Sequence, residues 1–168
     1  EDKYGQDALQ NGGWHVTTTL DADLQTKAEE IVNRNALANV AKFNATGSTL
    51  LFATYLGGSG DEDRASIALD PAGAIYVSGN TSSANLPVTA GAFDTTLGGL
   101  SDGFIAKLTS AGTAITYLTY LGGTTEESIE ALAVNAAGNV VVTGTTNSAD
   151  FPTASAYQGT KGTGYDAF

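Results

Sequence analysis

The chain has 168 residues, 42% of them apolar and 15% charged, and its 18 acidic and 7 basic side chains give a net charge of −11. This charge repels nucleic acid and anionic membranes, so we expect neither as a partner. The absence of cysteine excludes disulfides, thiolate catalysis and cysteine-ligated zinc, and no apolar run is long enough to span a bilayer. With a single histidine as well, the composition argues against an enzyme. Because methionine is absent even at position 1, we expect a processed or excised fragment.

Residues 1–39 are predicted to form a short strand followed by one α-helix. The strand is predicted over residues 12–20, and Asp21 is a good N-cap for a helix that runs to about Asn39. Acidic residues lie in the first half of this helix and Arg34 in the second, which suits the helix dipole.

The N-terminal segment, over residues 4–35, resembles the class A penicillin-binding proteins. The resemblance is to the linker that leads from their glycosyltransferase region into the transpeptidase domain. It is carried by Tyr4-Gly5-Gln6-Asp7-Ala8-Leu9, Gly12-Gly13-Trp14-His15-Val16-Thr17-Thr18-Thr19-Leu20-Asp21 and Leu24-Gln25. That family's nucleophile motif is Ser-x-x-Lys, and no serine of this chain is followed by lysine at that spacing. The resemblance therefore implies a catalytically incompetent piece of a peptidoglycan-synthesis protein. It is joined to the rest by natural fusion, in an artificial chimera, or in a sequence assembled from incomplete data.

From about residue 40 onward the sequence consists of two copies of one unit. Thr54-Tyr55-Leu56-Gly57-Gly58 recurs 65 residues later as Thr119-Tyr120-Leu121-Gly122-Gly123. The same offset relates Thr81, Ser83 and Pro87 to Thr146, Ser148 and Pro152. We therefore divide the chain into the N-terminal segment 1–39, repeat 1 at residues 40–104, and repeat 2 at residues 105–168, which is incomplete at its end.

Each repeat is predicted to contain four short antiparallel strands. Side chains alternate with the period of two typical of strands, for example at Leu50, Phe52, Thr54 and Leu56. An Asx residue stands before a glycine in the turns of residues 70–73 and 135–138, as in tight hairpins. The predicted fold class is all-β, with each four-stranded repeat of about 65 residues forming one β-propeller blade.

These motifs resemble the SBBP-type β-propeller repeat of large bacterial secreted and surface proteins. The resemblance covers about residues 40–168. It is carried by Tyr-Leu-Gly-Gly at 55–58, Ile-Ala-Leu-Asp at 67–70, Tyr-Val-Ser-Gly-Asn-Thr-Ser at 76–82 and Asp-Gly-Phe-Ile-Ala-Lys-Leu at 102–108. It implies a bacterial, exported propeller that is extracellular or at the cell surface. Because the family shares no catalytic residues, the resemblance implies no reaction.

Two blades leave strand edges and apolar faces uncovered, since a closed propeller needs roughly 4–8 blades. Repeat 2 stops at Asp166-Ala167-Phe168, whereas repeat 1 begins at Val40-Ala41-Lys42-Phe43, so the end of one copy complements the start of another. As partners we therefore expect further copies of the chain or additional blades, in a ring or a filament.

The sequence offers few candidate binding residues. Asp61 and Asp63 follow a Gly-Gly turn and are candidate Ca²⁺ ligands, but the Asp-x-Asp-x-Asp-Gly spacing is absent and a solvated turn is the alternative. We otherwise expect no cofactor and no catalytic residue. Tyr55 and Tyr120 either stack on sugar rings or, as their fixed place in the repeat favours, pack between sheets.

Composition and the SBBP resemblance together predict a non-enzymatic extracellular or cell-surface module that acts as a structural, assembly or adhesion scaffold. Two alternatives are kept. One is a propeller that binds carbohydrate or a cell-wall polymer. The other is a catalytically incompetent fragment of a cell-wall synthesis protein.

Overall fold

A computed structural model describes residues 38–168, which all belong to one compact unit. The regular structure of this part consists of strands: β1 Ala38–Phe43, β2 Leu50–Leu56, β3 Glu62–Leu69, β4 Ile75–Thr81, β5 Asp102–Leu108, β6 Ile115–Leu121, β7 Glu127–Val134, β8 Val140–Thr146 and β9 Asp166–Ala167. Within it, no helix has the length and apolarity needed to cross a membrane. The strand and helix predicted for residues 1–39 lie outside the described residues, except that Ala38 and Asn39 belong to β1 and not to the helix.

The strands form three antiparallel sheets in chain order. β1 and β2 form the first sheet, β3 to β6 the central sheet, and β7 to β9 the third sheet. In each sheet, neighbours in space are also neighbours in sequence, as in a propeller blade. The prediction of an all-β fold with antiparallel sheets is confirmed for the described residues.

The central sheet does not coincide with one sequence repeat. The boundary between the repeats, after residue 104, lies inside β5, and β2 pairs with β1 instead of joining the sheet of β3. A tight turn keeps β5 and β6 together, because Thr109 N donates to Ala114 O at 3.0 Å and Gly112 N donates to Thr109 O at 2.9 Å. The central sheet therefore combines two strands of repeat 1 with the hairpin that spans the boundary, and the prediction that one repeat forms one sheet is wrong.

Two Asx-glycine turns form the hairpins predicted for them. Asp70 Oδ1 accepts hydrogen bonds from Ala72 N at 3.0 Å and Ala74 N at 2.9 Å, and Gly73 takes a φ of +81°. The same pair of bonds recurs in the next sheet, from Ala137 N and Asn139 N to Asn135 Oδ1. The aspartate or asparagine thus closes the turn with its side chain, and the glycine supplies the left-handed residue.

The largest core cluster lies within the central sheet and where that sheet meets the first sheet. β4 is buried along its whole length because β3 and β5 flank it and β7 contacts it. The buried apolar side chains of the largest cluster are Val40, Leu56, Ile75, Val77, Leu86, Phe104, Ala106, Leu108, Leu118 and Tyr120. Burial of a large apolar side chain contributes roughly 1.5–3 kcal/mol, so adjacent sheets stabilise one another.

Candidate functional site

The side chain of Asn80, near the end of β4, joins the central sheet to the third sheet. Its Oδ1 accepts a hydrogen bond from Ile129 N at 2.7 Å, and its Nδ2 donates to Ser128 Oγ at 3.2 Å. Both partners belong to β7, which is the edge strand of the third sheet and has outward backbone groups that no strand of that sheet can bind. Asn80 therefore supplies the buried acceptor that this edge needs.

We expect Asn80→Ala to lower the free energy of unfolding by about 1–3 kcal/mol, because it leaves the buried Ile129 N–H without an acceptor. The matched control is Thr145→Ala. Thr145 is the equivalent residue 65 positions later and makes no side-chain hydrogen bond within residues 38–168; its replacement should cost less than about 0.5 kcal/mol. Urea denaturation followed by circular dichroism measures both variants. Equal losses would contradict the role of Asn80.

Tyr76 makes the second polar contact between the two sheets. Its ring is fully buried, and its Oη lies 3.3 Å from Gly138 O in the β7–β8 turn and 3.2 Å from Asp70 Oδ2. Lys107 Nζ lies 4.7 Å from the ring centroid and 3.6 Å from Asp70 Oδ2. Contacts from Tyr76 and from Asn80, at opposite ends of β4, therefore hold the central sheet against the third sheet.

In each of the two larger sheets, a buried glutamate accepts hydrogen bonds that hold the loop leading into the sheet. Glu62 Oε1 accepts hydrogen bonds from Thr81 Oγ1 at 2.8 Å and Ser83 Oγ at 2.5 Å, and its Oε2 accepts from Gly58 N at 3.3 Å. The equivalent bonds in the third sheet run from Thr146 Oγ1 at 2.6 Å and Gly123 N at 2.9 Å to Glu127. We call these two groups, Glu62 with Thr81 and Glu127 with Thr146, the hydroxyl clasps. A buried carboxylate that accepts several hydrogen bonds is stable in the interior, and here it fixes the loop.

Asp102 places a second buried carboxylate beside the clasp of Glu127. Asp102 is fully buried, and it accepts hydrogen bonds from Gly98 N at 2.8 Å and Gly99 N at 3.3 Å. Burial raises the pKa of Asp102 above its ordinary value of 3.8, and the negative charges of Glu127 and Asp94 act in the same direction; together they outweigh the two N–H donors. The fold therefore favours the protonated form of Asp102 more than the unfolded chain does.

We expect Asp102 to stabilise the fold on acidification. Because its pKa is higher in the folded state, the folded state binds the proton more tightly, and the free energy of unfolding rises as the pH falls through the raised pKa. Below the unfolded pKa of 3.8 this gain is complete, and it is lost again as the pH rises. Asp102→Asn should remove the gain, so the free energy of unfolding of the natural chain should rise relative to that of the variant as the pH falls through the raised pKa toward 3.8.

Urea denaturation over a pH series measures this difference, and Asp150→Asn serves as the control. Hydrogen bonds from the backbone N and the hydroxyl of Thr124 lower the pKa of Asp150, so the stability that Asp150 contributes is lost as the pH falls. On acidification, the free energy of unfolding of the natural chain should therefore rise relative to that of Asp102→Asn and fall relative to that of Asp150→Asn. A difference for Asp102→Asn that does not change with pH would rule out the raised pKa.

The candidate metal ligands flank a buried acid but are themselves exposed. Asp61 and Asp63 are exposed, on either side of Glu62, whose side chain is buried in its clasp. Among residues 38–168, no cluster of three or more His, Cys, Asp or Glu residues could hold a metal ion. A Ca²⁺ site at Asp61 and Asp63 stays a prediction. Glu62 and Glu127 were not among the candidate residues, although they are separated by the 65-residue offset of the repeat, which is the signal that could have identified them.

Tyr120, in β6, closes the core beneath the long loop between β4 and β5. It is fully buried, its Oη donates to Ser83 O at 2.6 Å, and it accepts from Leu86 N at 3.1 Å. The neighbouring Thr119 Oγ1 accepts from Asp94 N at 2.9 Å, further along the same loop. Tyr120 therefore has a packing role, as the repeat favours, but its polar partners belong to a loop and not to a neighbouring sheet.

The comparison with protein families agrees with this geometry. The model of the SBBP family, described as a β-propeller repeat, matches residues 51–87, which comprise most of β2, all of β3 and β4, and the start of the following loop. The match does not include residues 4–35, so the resemblance to penicillin-binding proteins gains no support from it. No curated protein matches the chain. Residues 51–87 are thus similar to an SBBP β-propeller repeat, and the predicted resemblance is confirmed over that range.

Proposed function

We propose that the chain is a non-enzymatic repeat module of an exported bacterial β-propeller and acts as a scaffold at the cell surface or outside the cell. The observation that carries the proposal is the joint between the central and third sheets. There Asn80 binds the backbone of β7 and Tyr76 reaches the β7–β8 turn, so side chains of one blade satisfy backbone groups of the next. A module with such joints adds blades by repetition.

The buried acids support a structural role. Glu62 and Glu127 direct their carboxylates at hydroxyl and backbone donors of their own sheet, and Asp102 binds two backbone N–H groups. Donors of the protein itself therefore occupy the oxygens of these carboxylates. This is typical of structural buried acids, whereas a catalytic acid keeps an oxygen free for the substrate. The cysteine-free composition with only 15% charged residues also suits an inert surface module.

Light scattering on the full chain tests the scaffold role. We expect particle masses that are multiples of 17.0 kDa and that increase with concentration. A stable monomer at micromolar concentration would contradict self-assembly. Protease treatment of intact bacteria that express the protein tests its location, since a surface module is digested while the cells remain whole.

The two alternative functions lead to different results. A glycan array or a pull-down with insoluble peptidoglycan detects a carbohydrate-binding propeller. Labelling with a fluorescent β-lactam detects a functional transpeptidase site, and for a scaffold we expect neither signal.

A further inference from the structure

Asp102 of the central sheet and Glu127 of the third sheet each direct a carboxylate oxygen at the same point. A Cβ placed on Gly122, in the loop that connects the two sheets, would lie 2.7 Å from Asp102 Oδ1 and 2.7 Å from Glu127 Oε2. Both acidic side chains are buried. Because Gly122 has no side chain, two carboxylates from neighbouring sheets can face each other inside the protein.

The two facing oxygens still have acceptor capacity. Asp102 Oδ1 accepts a long hydrogen bond from Gly99 N, at 3.3 Å, whereas its other oxygen, Oδ2, accepts a shorter one from Gly98 N, at 2.8 Å. Glu127 Oε2 accepts from Gly123 N at 2.9 Å. Since a carboxylate oxygen can accept two hydrogen bonds, each of the facing oxygens has room for a proton between them.

No salt bridge compensates the two carboxylates within residues 38–168. The ion pairs of this part of the chain are Arg64–Glu130 and Lys107–Asp70. The other titratable groups around the two acids, from the β4–β5 loop, β3 and β6, are Asp94, Glu62 and Tyr120. None of these groups carries a positive charge. Burial and the charge of Glu127 both raise the pKa of Asp102, so the closed arrangement disfavours a second negative charge.

The two acids lie beside the hydrogen bond that joins the sheets. Glu127 begins β7, and the backbone N of Ile129, two residues later in the same strand, donates to Asn80 Oδ1 of the central sheet at 2.7 Å. A movement that carries β7 away from the central sheet separates Asp102 from Glu127 and also breaks the bond from Ile129 to Asn80. The Ile129 N–H therefore reports on the contact between the two acids.

We propose that Asp102 and Glu127 make the contact between the central and third sheets sensitive to pH. When both carboxylates are charged, their repulsion favours separation of the sheets, and a proton on Asp102 Oδ1 removes that repulsion. The fold thus becomes more rigid in acidic surroundings. The inference goes beyond the scaffold role, because a single chain should respond in this way whether or not it self-associates.

The direction of the effect follows from proton binding. When the sheets separate, Asp102 is exposed to water and its pKa returns toward the ordinary value of 3.8. The closed arrangement therefore binds the proton more tightly than the separated one, and it becomes more favourable as the pH falls through the raised pKa. The closed arrangement loses this advantage again as the pH rises.

Amide hydrogen exchange of the full chain, followed by NMR, tests the proposal. The amides that pair β4 with β5 serve as references, because their hydrogen bonds stay inside one sheet. Once the intrinsic rate at each pH is divided out, Ile129 N–H should exchange faster than these references. Its exchange should slow by roughly twofold or more as the pH falls from about 7 to about 4. In Asp102→Asn, the exchange of Ile129 should not change with pH.

Three results would overturn the proposal. If Ile129 exchanges no faster than the references, the sheets do not separate without unfolding of the whole chain. If the references slow on acidification and Ile129 does not, Asp102 acts within its own sheet and not on the contact with the third. A pH response of Ile129 that persists in Asp102→Asn arises from other groups.

Glu127→Gln and Glu126→Gln test the contribution of the second acid. Both substitutions remove one negative charge from the same segment, but Glu127 is buried beside Asp102, whereas Glu126 is half-buried and binds the hydroxyl of Tyr165. We expect Glu127→Gln to reduce the pH response of Ile129 and Glu126→Gln to leave it unchanged. Equal responses in the two variants would show that Glu127 is not the partner of Asp102. A failure of any of these tests leaves the scaffold role standing, since light scattering decides that separately.

Discussion

Replacing Tyr120 with alanine is expected to lower the free energy of unfolding by about 3–5 kcal/mol, as the loss of a buried aromatic side chain does. The side chain is fully buried, so its removal leaves a cavity beneath the loop between β4 and β5. It also removes the acceptor of Leu86 N and the donor to Ser83 O. Urea denaturation followed by far-ultraviolet circular dichroism, at concentrations low enough to keep the chain monomeric, measures the loss.

The chain contains its own control for this prediction. Tyr55 occupies the same place in the same Thr-Tyr-Leu-Gly-Gly motif but is half exposed, so Tyr55→Ala should cost less than about 1 kcal/mol. Tyr120→Phe keeps the ring and removes only the hydroxyl, for which we expect about 1–2 kcal/mol. Similar losses for the two alanine variants would show that Tyr120 does not support the loop.

The elements that local rules determine were predictable from the sequence. The turns at residues 70–73 and 135–138 need only an Asx side chain and a glycine at the right spacing, and both form as expected. The strands lie where the period-two pattern predicts them, although burial does not alternate in β4, which is buried along its whole length. The predicted helix fails at Ala38 and Asn39, where pairing with β2 decides the conformation instead of helical spacing.

Features that depend on distant partners were not predictable in the same way. A sequence repeat does not show at which strand a sheet begins. It therefore could not predict that β2 pairs with β1 and that β6 is the fourth strand of the sheet formed by β3 to β5. Tyr55 and Tyr120 are identical in local sequence, but Tyr120 lies in a four-stranded sheet beneath a loop, whereas Tyr55 lies in a two-stranded sheet. The role of Glu62 depends on hydroxyls about twenty residues away, which the local sequence of three acidic residues, Asp61, Glu62 and Asp63, does not indicate.

Gly99 lies in the loop between β4 and β5, where that loop contacts the segment that leads into the third sheet. Gly99→Ala is expected to be the most destabilising small substitution at this contact. A Cβ at Gly99 would clash with Thr125 O, a backbone atom that no rotamer change can move. The same segment holds the sheets together, since Leu100 N donates to Thr125 O at 3.0 Å and Glu127 N donates to Ser101 O at 2.9 Å. The methyl group must therefore separate the two segments, and we expect a loss of about 3 kcal/mol, at the upper end of the usual range for overpacking.

Two other glycines separate steric crowding from backbone strain in the same denaturation assay. Gly159 has open space around the position of a Cβ and an ordinary φ, so Gly159→Ala should change stability by less than about 0.5 kcal/mol. Gly91 also has open space but a φ of +79°, so Gly91→Ala should cost only the strain of a left-handed residue, about 1–2 kcal/mol. If close backbone contact fixes the central sheet against the third, the losses should decrease in the order Gly99, Gly91, Gly159. If Gly99→Ala proves no worse than Gly91→Ala, the two sheets can separate there without loss, and a scaffold built on rigid joints could not depend on that contact.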